Sequence, residues 1–128
     1  MIYVDTSVLL ARLLAEDHAP PDSFWQQTLV SSRLIEYETW NRIHARKLLA
    51  THSDSARMLL GRIAMVELTQ PVLARALEPF PVVTRTLDAL HLASMCFVRN
   101  SDPSLAVATY DERLARAARS LKFKILRP

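Results

Sequence analysis

The sequence predicts an α/β fold: a three-layer sandwich in which a central, mainly parallel sheet carries helices on both faces. Three observations predict it. Apolar runs of three or four residues alternate along the chain with longer stretches whose apolar residues recur at three- and four-residue spacing. The runs at 2–4 and 105–108 are free of charge, as central strands covered on both sides require. Each such run meets a polar residue that can stop the strand and cap a helix.

The first strand is Ile2-Tyr3-Val4, and Asp5-Thr6-Ser7 stops it and caps a helix carrying Leu9, Leu10, Leu13 and Leu14. Pro20-Pro21-Asp22 opens a second helix through Phe24, Trp25 and Gln26, with the prolines tolerated before it or in its first turn. Residues 29–32 form the next strand, followed by a helical stretch from about 34 to 49. His52-Ser53-Asp54 is expected to break that helix, with Ala56, Leu59, Leu60 and Ile63 marking another. Residues 65–68 can form a strand, and Pro71 opens a helix that ends near Pro79 and Pro81. Thr86 reads as the N-cap of the helix containing Leu87, Leu90, Ser94 and Phe97. Residues 105–108 are the clearest central strand, ending at Thr109-Tyr110-Asp111. Leu114, Ala117, Ala118 and Leu121 then trace an amphipathic helix, and 122–126 can close the sheet.

With 128 residues, half of them apolar, the chain fits one compact domain, 1–128, with its own core. Its single glycine, Gly61, excludes the glycine-rich phosphate loops of the Walker and dinucleotide types. The lone cysteine, Cys96, rules out an intramolecular disulfide and fits a buried free thiol in a reducing compartment. No apolar stretch reaches the roughly 18 residues of a membrane span, and no secretory leader pattern follows Met1. A soluble cytoplasmic protein is expected.

Four acids stand where an apolar segment meets a helix start: Asp5, a glutamate at Glu36 or Glu38, Asp88 and Asp111. Singly, each has a plain structural explanation as an N-cap, a helix-dipole partner or a solvated side chain. Together they weaken it, because carboxylates at strand ends share one edge of a parallel sheet, where they repel unless a cation neutralises them. The pattern points to a divalent-metal site and to phosphoryl transfer or phosphodiester hydrolysis. The formal charge is +3; with four acids committed to a site, nine remain against 16 Lys and Arg, leaving a surface near +7. That balance suits a polyanionic substrate, or simply solubility.

The pattern Val4-Asp5-Thr6-Ser7, then Ser31-Ser32 with Glu38 and Arg42, then Leu87-Asp88-Ala89-Leu90-His91-Leu92-Ala93, then Ala108-Thr109-Tyr110-Asp111-Glu112-Arg113-Leu114 resembles a PIN domain. More closely, it resembles the compact VapC-type toxins of bacterial toxin-antitoxin pairs. The resemblance spans essentially the whole chain. It implies a PIN-like sandwich and a Mg²⁺- or Mn²⁺-dependent ribonuclease with Asp5, one glutamate, Asp88 and Asp111 as the catalytic, metal-binding acids. It also implies a cognate protein antitoxin and a homodimeric toxin.

Glu36 and Glu38 point about 200° apart on a helix, so only one can face the site. The family's spacing fits Glu38, which shares its face with Asn41 and Arg42; Glu36 falls beside Trp40 and Ile43 on what reads as a packing stripe. His91 lies one turn after Asp88 and is either a ligand or, preferably, a supporting or packing residue. Thr6 and Ser7 can cap the helix, bond the carboxylates, or both. Arg12, Arg42, Arg46, Arg85, Arg113 and Arg116 are candidates for the RNA backbone. Trp25, Trp40 and Phe24 read as core or interface residues, and His44 and His52 as surface ones.

Two rivals differ in class. A phosphoaspartyl or receiver-type enzyme would need a second aspartate where Ser7 stands, or a lysine after the late strand where Asp111 and Arg113 stand. A PIN-like module that binds RNA or a partner without cutting has no physical need to gather four uncompensated carboxylates.

Overall fold

A computed structural model describes all 128 residues. Five strands, β1 (Ile2–Val4), β2 (Leu29–Ser32), β3 (Ile63–Val66), β4 (Ala106–Ala108) and β5 (Lys124–Leu126), form one sheet in the order β3-β2-β1-β4-β5. All four pairings are parallel. Six helices accompany them: α1 (Thr6–Leu13), α2 (Leu34–Ala45), α3 (Leu49–Leu60), α4 (Gln70–Ala76), α5 (Thr86–Arg99) and α6 (Glu112–Ser120).

Strand alternation divides the core into two layers. Ile2 and Val4 join Val8, Leu9, Ile35, Ile43 and Ala56 from α1, α2 and α3 on one face. Tyr3 points the other way, into a layer with Leu92, Met95 and Val98 of α5 and Leu114 and Ala118 of α6. The expected three-layer sandwich is therefore present, with every strand parallel. No helix is long and apolar enough to cross a membrane.

Several local expectations need correction. The expected helix after Pro21 is present at Asp22–Gln26 as a short 3₁₀ segment. The chain breaks between α2 and α3 at 46–48, and His52-Ser53-Asp54 lies inside α3; Ile63 belongs to β3. Thr86 is the first helical residue of α5, whose N-cap, Arg85, makes no side-chain capping bond. Cys96 is half-buried rather than buried. Glu36 is not on the packing stripe of α2, which is Ile35, Thr39 and Ile43; it pairs with Arg33 at 2.7 Å.

The misplaced break has a physical origin. Helices α1, α2 and α6 all end with a non-glycine residue in the left-handed region: Ala15 (φ 51°), Lys47 (57°) and Lys122 (70°). At each, the residue's N–H returns to Arg12, His44 or Arg119, and the next N–H returns to Ala11, Ile43 or Ala118. This is the Schellman closure, usually built on glycine. The left-handed region costs an L-residue about 1–2 kcal/mol, and glycine loses back about 0.5–1 kcal/mol in chain entropy. Ala15→Gly, Lys47→Gly and Lys122→Gly are each expected to stabilise the fold by about 0.5–1 kcal/mol, read by denaturant titration. A loss of stability at all three sites would show that their side chains contribute more than the strain.

Candidate functional site

In the strand order, the chain runs outward from β1 to β3 on one side and from β4 to β5 on the other, so the order reverses between β1 and β4. A crevice at the carboxyl ends of the strands is expected there. Asp5 directly follows β1 and Asp111 is the third residue after β4, each as the N-cap of the next helix. Asp88 comes from the first turn of α5 and Glu38 from α2. All four line one cleft of about 450 Å³, together with Thr6, Ser7, Asn41, Arg42 and His91. Glu36 is not part of it.

Hydroxyl groups stitch the two strand ends together. Asp5 Oδ2 accepts from Ser7 Oγ at 2.7 Å and Thr109 Oγ1 at 2.8 Å. The same two oxygens accept backbone N–H groups in turn, Ser7 Oγ from Tyr110 at 3.0 Å and Thr109 Oγ1 from Asp111 at 2.9 Å. Asp5, only 6% exposed, is thereby fixed against the loop that carries Asp111. Asp111 itself is exposed and spends Oδ1 on the backbone N–H groups of Arg113 (2.9 Å) and Leu114 (3.3 Å). Thr6 does not bond Asp5; its hydroxyl donates to Glu38 Oε1 at 3.0 Å.

Glu38 Oε1 also lies 2.6 Å from His91 Nε2. His91 is buried on α5, and its Nδ1 lies 2.7 Å from the hydroxyl of Tyr3, which in turn accepts the Ser32 N–H at 3.1 Å. Burial pulls the His91 pKa down, but the hydrogen bond and charge of Glu38, with Asp5 and Asp88 behind it, more than offset this and leave it raised. Burial raises the Tyr3 hydroxyl far above its ordinary value, so it stays protonated.

Asp88 makes no hydrogen bond to a protein donor and is half-buried. Its pKa is raised, first by desolvation and then by the charges of Asp111 and Asp5, with His91 and Arg113 pulling it partly back. The carboxylates therefore act on one another across the cleft. No three acidic or histidine side chains already close into a metal cage. The donor set nonetheless suits a hard divalent cation: Asp5, Glu38 and Asp111 each keep one oxygen free of protein donors, Asp88 keeps both, and the cleft leaves room for water to complete a coordination shell.

Of the candidate arginines, Arg42 lines the cleft, whereas Arg12 pairs with Asp22 at 2.9 Å and borders a different cavity. Phe24 and Trp25 are core residues, and Trp40 is half-buried against that core. Two residues that organise the site escape a reading of the sequence. Thr109 reads as a strand-ending polar residue, and only the register β1–β4 brings it to Asp5. Tyr3 reads as strand core; the signal was that a buried tyrosine needs a partner for its hydroxyl, and that a buried His91 needs one for its ring.

The family model described as "PIN domain" matches residues 2–120. Ribonuclease VapC47 of Mycobacterium tuberculosis (strain CDC 1551 / Oshkosh) is 30% identical over an alignment of 138 positions, covering 100% of this chain and 97% of that protein. Ribonuclease VapC35 of the same organism is 31% identical, with the same coverage. Among solved structures, a chain of a toxin-antitoxin complex from Klebsiella pneumoniae shares the fold, with a TM-score of 0.57 at 16% identity over 98% of this chain and 96% of that one. A family match across nearly the whole chain, with relatives matched over their full length, places the protein in the PIN-domain family.

Proposed function

We propose that this protein is a VapC-type toxin, a ribonuclease that cuts RNA endonucleolytically with Mg²⁺ or Mn²⁺. The observation that carries this reading is the gathering of four carboxylates, from four separate chain segments, around one cleft at the point where the strand order reverses. The two named ribonucleases, matched over their length, support the activity.

Asp5, Glu38, Asp88 and Asp111 would hold the cation, which when bound supplies Lewis-acid activation of water and neutralises charge developing on the phosphate. Asp5 and Asp111 are held by hydroxyl and backbone donors, so their free oxygens meet a ligand with little rearrangement. Arg42, exposed at the cleft, is placed to contact an RNA phosphate, and with the chain's excess of Lys and Arg it makes binding weaken as salt rises. No side chain need act as a covalent nucleophile. The structurally similar toxin-antitoxin complex supports a protein antitoxin as partner. A homodimer and a cytoplasmic location follow from the resemblance to VapC-type toxins.

The test is RNA cleavage by the purified chain. Cleavage with Mg²⁺ or Mn²⁺ that stops on chelation is the expected result, and cleavage undiminished in excess chelator would remove the metal from the mechanism. Binding of RNA with no cleavage under any divalent cation would favour a non-catalytic module instead.

A further inference from the structure

The hydrogen-bonded chain behind Glu38 has a direction. The Tyr3 hydroxyl oxygen accepts the Ser32 N–H at 3.1 Å. Its own proton faces His91 Nδ1 at 2.7 Å, a closer partner than the neighbouring Ser31 hydroxyl, whose own proton goes to Val4 O. With Nδ1 accepting, the ring proton of neutral His91 sits on Nε2, which faces Glu38 Oε1 at 2.6 Å. Were the ring to gain a second proton, Nε2 would still carry its own, so the donor toward Glu38 is the same in both states. Glu38 Oε1 therefore receives two donors, His91 and Thr6, while Oε2 receives none.

A histidine buried for packing alone would need only satisfied nitrogens. Here one nitrogen ends on a carboxylate that lines the cleft, and the other on a tyrosine that contributes no atom to it. Tyr3 and His91 come from the central strand and from α5, 88 residues apart, both almost wholly excluded from water. A ring so enclosed turns only if its hydrogen bonds break, which costs more in a buried site than at the surface.

We propose that Tyr3 is a positioning residue for the cleft, acting through His91: it fixes the ring with Nε2–H toward Glu38, which holds Glu38 with Oε1 bound and Oε2 presented to the ligand. The inference rests on the reading of Glu38 as a site residue. Removing a group that orients a ligand or a catalytic side chain costs roughly 10- to 100-fold in affinity or rate.

The experiment has a spectroscopic arm and a kinetic arm. In the parent protein at alkaline pH, nitrogen–proton correlation spectra of His91 should show the Nε2–H form. A neutral ring protonated on Nδ1 would overturn the proposal with no variant needed. Tyr3→Phe should lose the fixed form, weaken Mn²⁺ binding and lower kcat by roughly 10- to 100-fold with a smaller change in KM. His91→Gln keeps an N–H donor for Glu38 without needing Tyr3. Adding Tyr3→Phe to His91→Gln should then cost no further activity, whereas a purely structural tyrosine would cost the same in both backgrounds. If the parent cuts RNA and Glu38→Gln is inactive, but Tyr3→Phe is as active as the parent, this inference fails while the ribonuclease reading stands. If Glu38→Gln is as active as the parent, the reading beneath it fails.

Discussion

Glu38→Gln is expected to lose roughly 100- to 1000-fold or more of its metal-dependent cleavage, while Glu36→Gln stays close to the parent. The two carboxylates are separated by one residue, and helix geometry sends them to different surroundings. Glu38 reaches the cleft; Glu36 pairs with Arg33, which also holds Glu67. Glutamine keeps an oxygen to accept from His91 and Thr6, so the substitution removes the charge and puts a non-ligating NH₂ where the free Oε2 stood. A cation that relies on hard anionic oxygens cannot recover that charge from the far side of α2. Losing the exposed Arg33–Glu36 pair should cost a few tenths of a kcal/mol. Parallel assays of the two variants with thermal melts decide it. Full activity in both would reduce the site to three aspartates, and the reverse outcome would transfer the role to Glu36.

Asp88→Asn is expected to show opposite effects on activity and on stability. Cleavage should fall by roughly 100-fold or more, because Asp88, alone among the four proposed metal-binding acids, commits neither oxygen to a protein donor. The metal-free fold should become more stable. The folded state raises the Asp88 pKa above its ordinary value, so it binds this proton more tightly than the unfolded chain does. The associated stability is complete below the ordinary carboxylate pKa and is lost as pH rises through the raised one. At neutral pH the parent carries that penalty and the asparagine variant does not. For a half-buried, partly screened group, the gain should be about 1–3 °C in Tm, measured in chelator, and should shrink on acidification. A variant less stable than the parent at neutral pH would show that Asp88 is not strained by Asp5 and Asp111.

The sheet layers, the sequence of elements and the positions of Asp5, Asp88 and Asp111 at element starts are legible in the residues, because burial on two faces demands uninterrupted apolar strands and N-caps demand short acceptors. Helix α6 is the clearest case, with Leu114, Ala117 and Ala118 on its buried face and Asp111 as its cap. The α2–α3 break was not legible, because it is closed by Lys47 where a reader looks for glycine, and because Ser53 and Asp54 look like stop signals yet lie inside a helix. Nor was the wiring of the cleft. The contacts Thr109–Asp5, Thr6–Glu38 and Tyr3–His91 join residues 104, 32 and 88 positions apart, and no local pattern encodes such pairings.

The placement of β1 at the centre of the sheet sets a timetable for the growing polypeptide. β1 is made first, but one of its two hydrogen-bonded neighbours is β4, at residues 106–108. At the usual 5–20 residues per second, the stretch between β2 and β4 takes about 4–15 s to synthesise. Until it is complete, β1 has a bare edge, Asp5 lacks Thr109, and there is no cleft. The nascent chain is thus inert for most of its synthesis, and it is also exposed to wrong pairing along that edge. A chain halted at Ser104 is expected to be inactive and poorly soluble, as cleavage and sedimentation assays beside the full chain would show; full solubility would mean that the first three strands protect themselves.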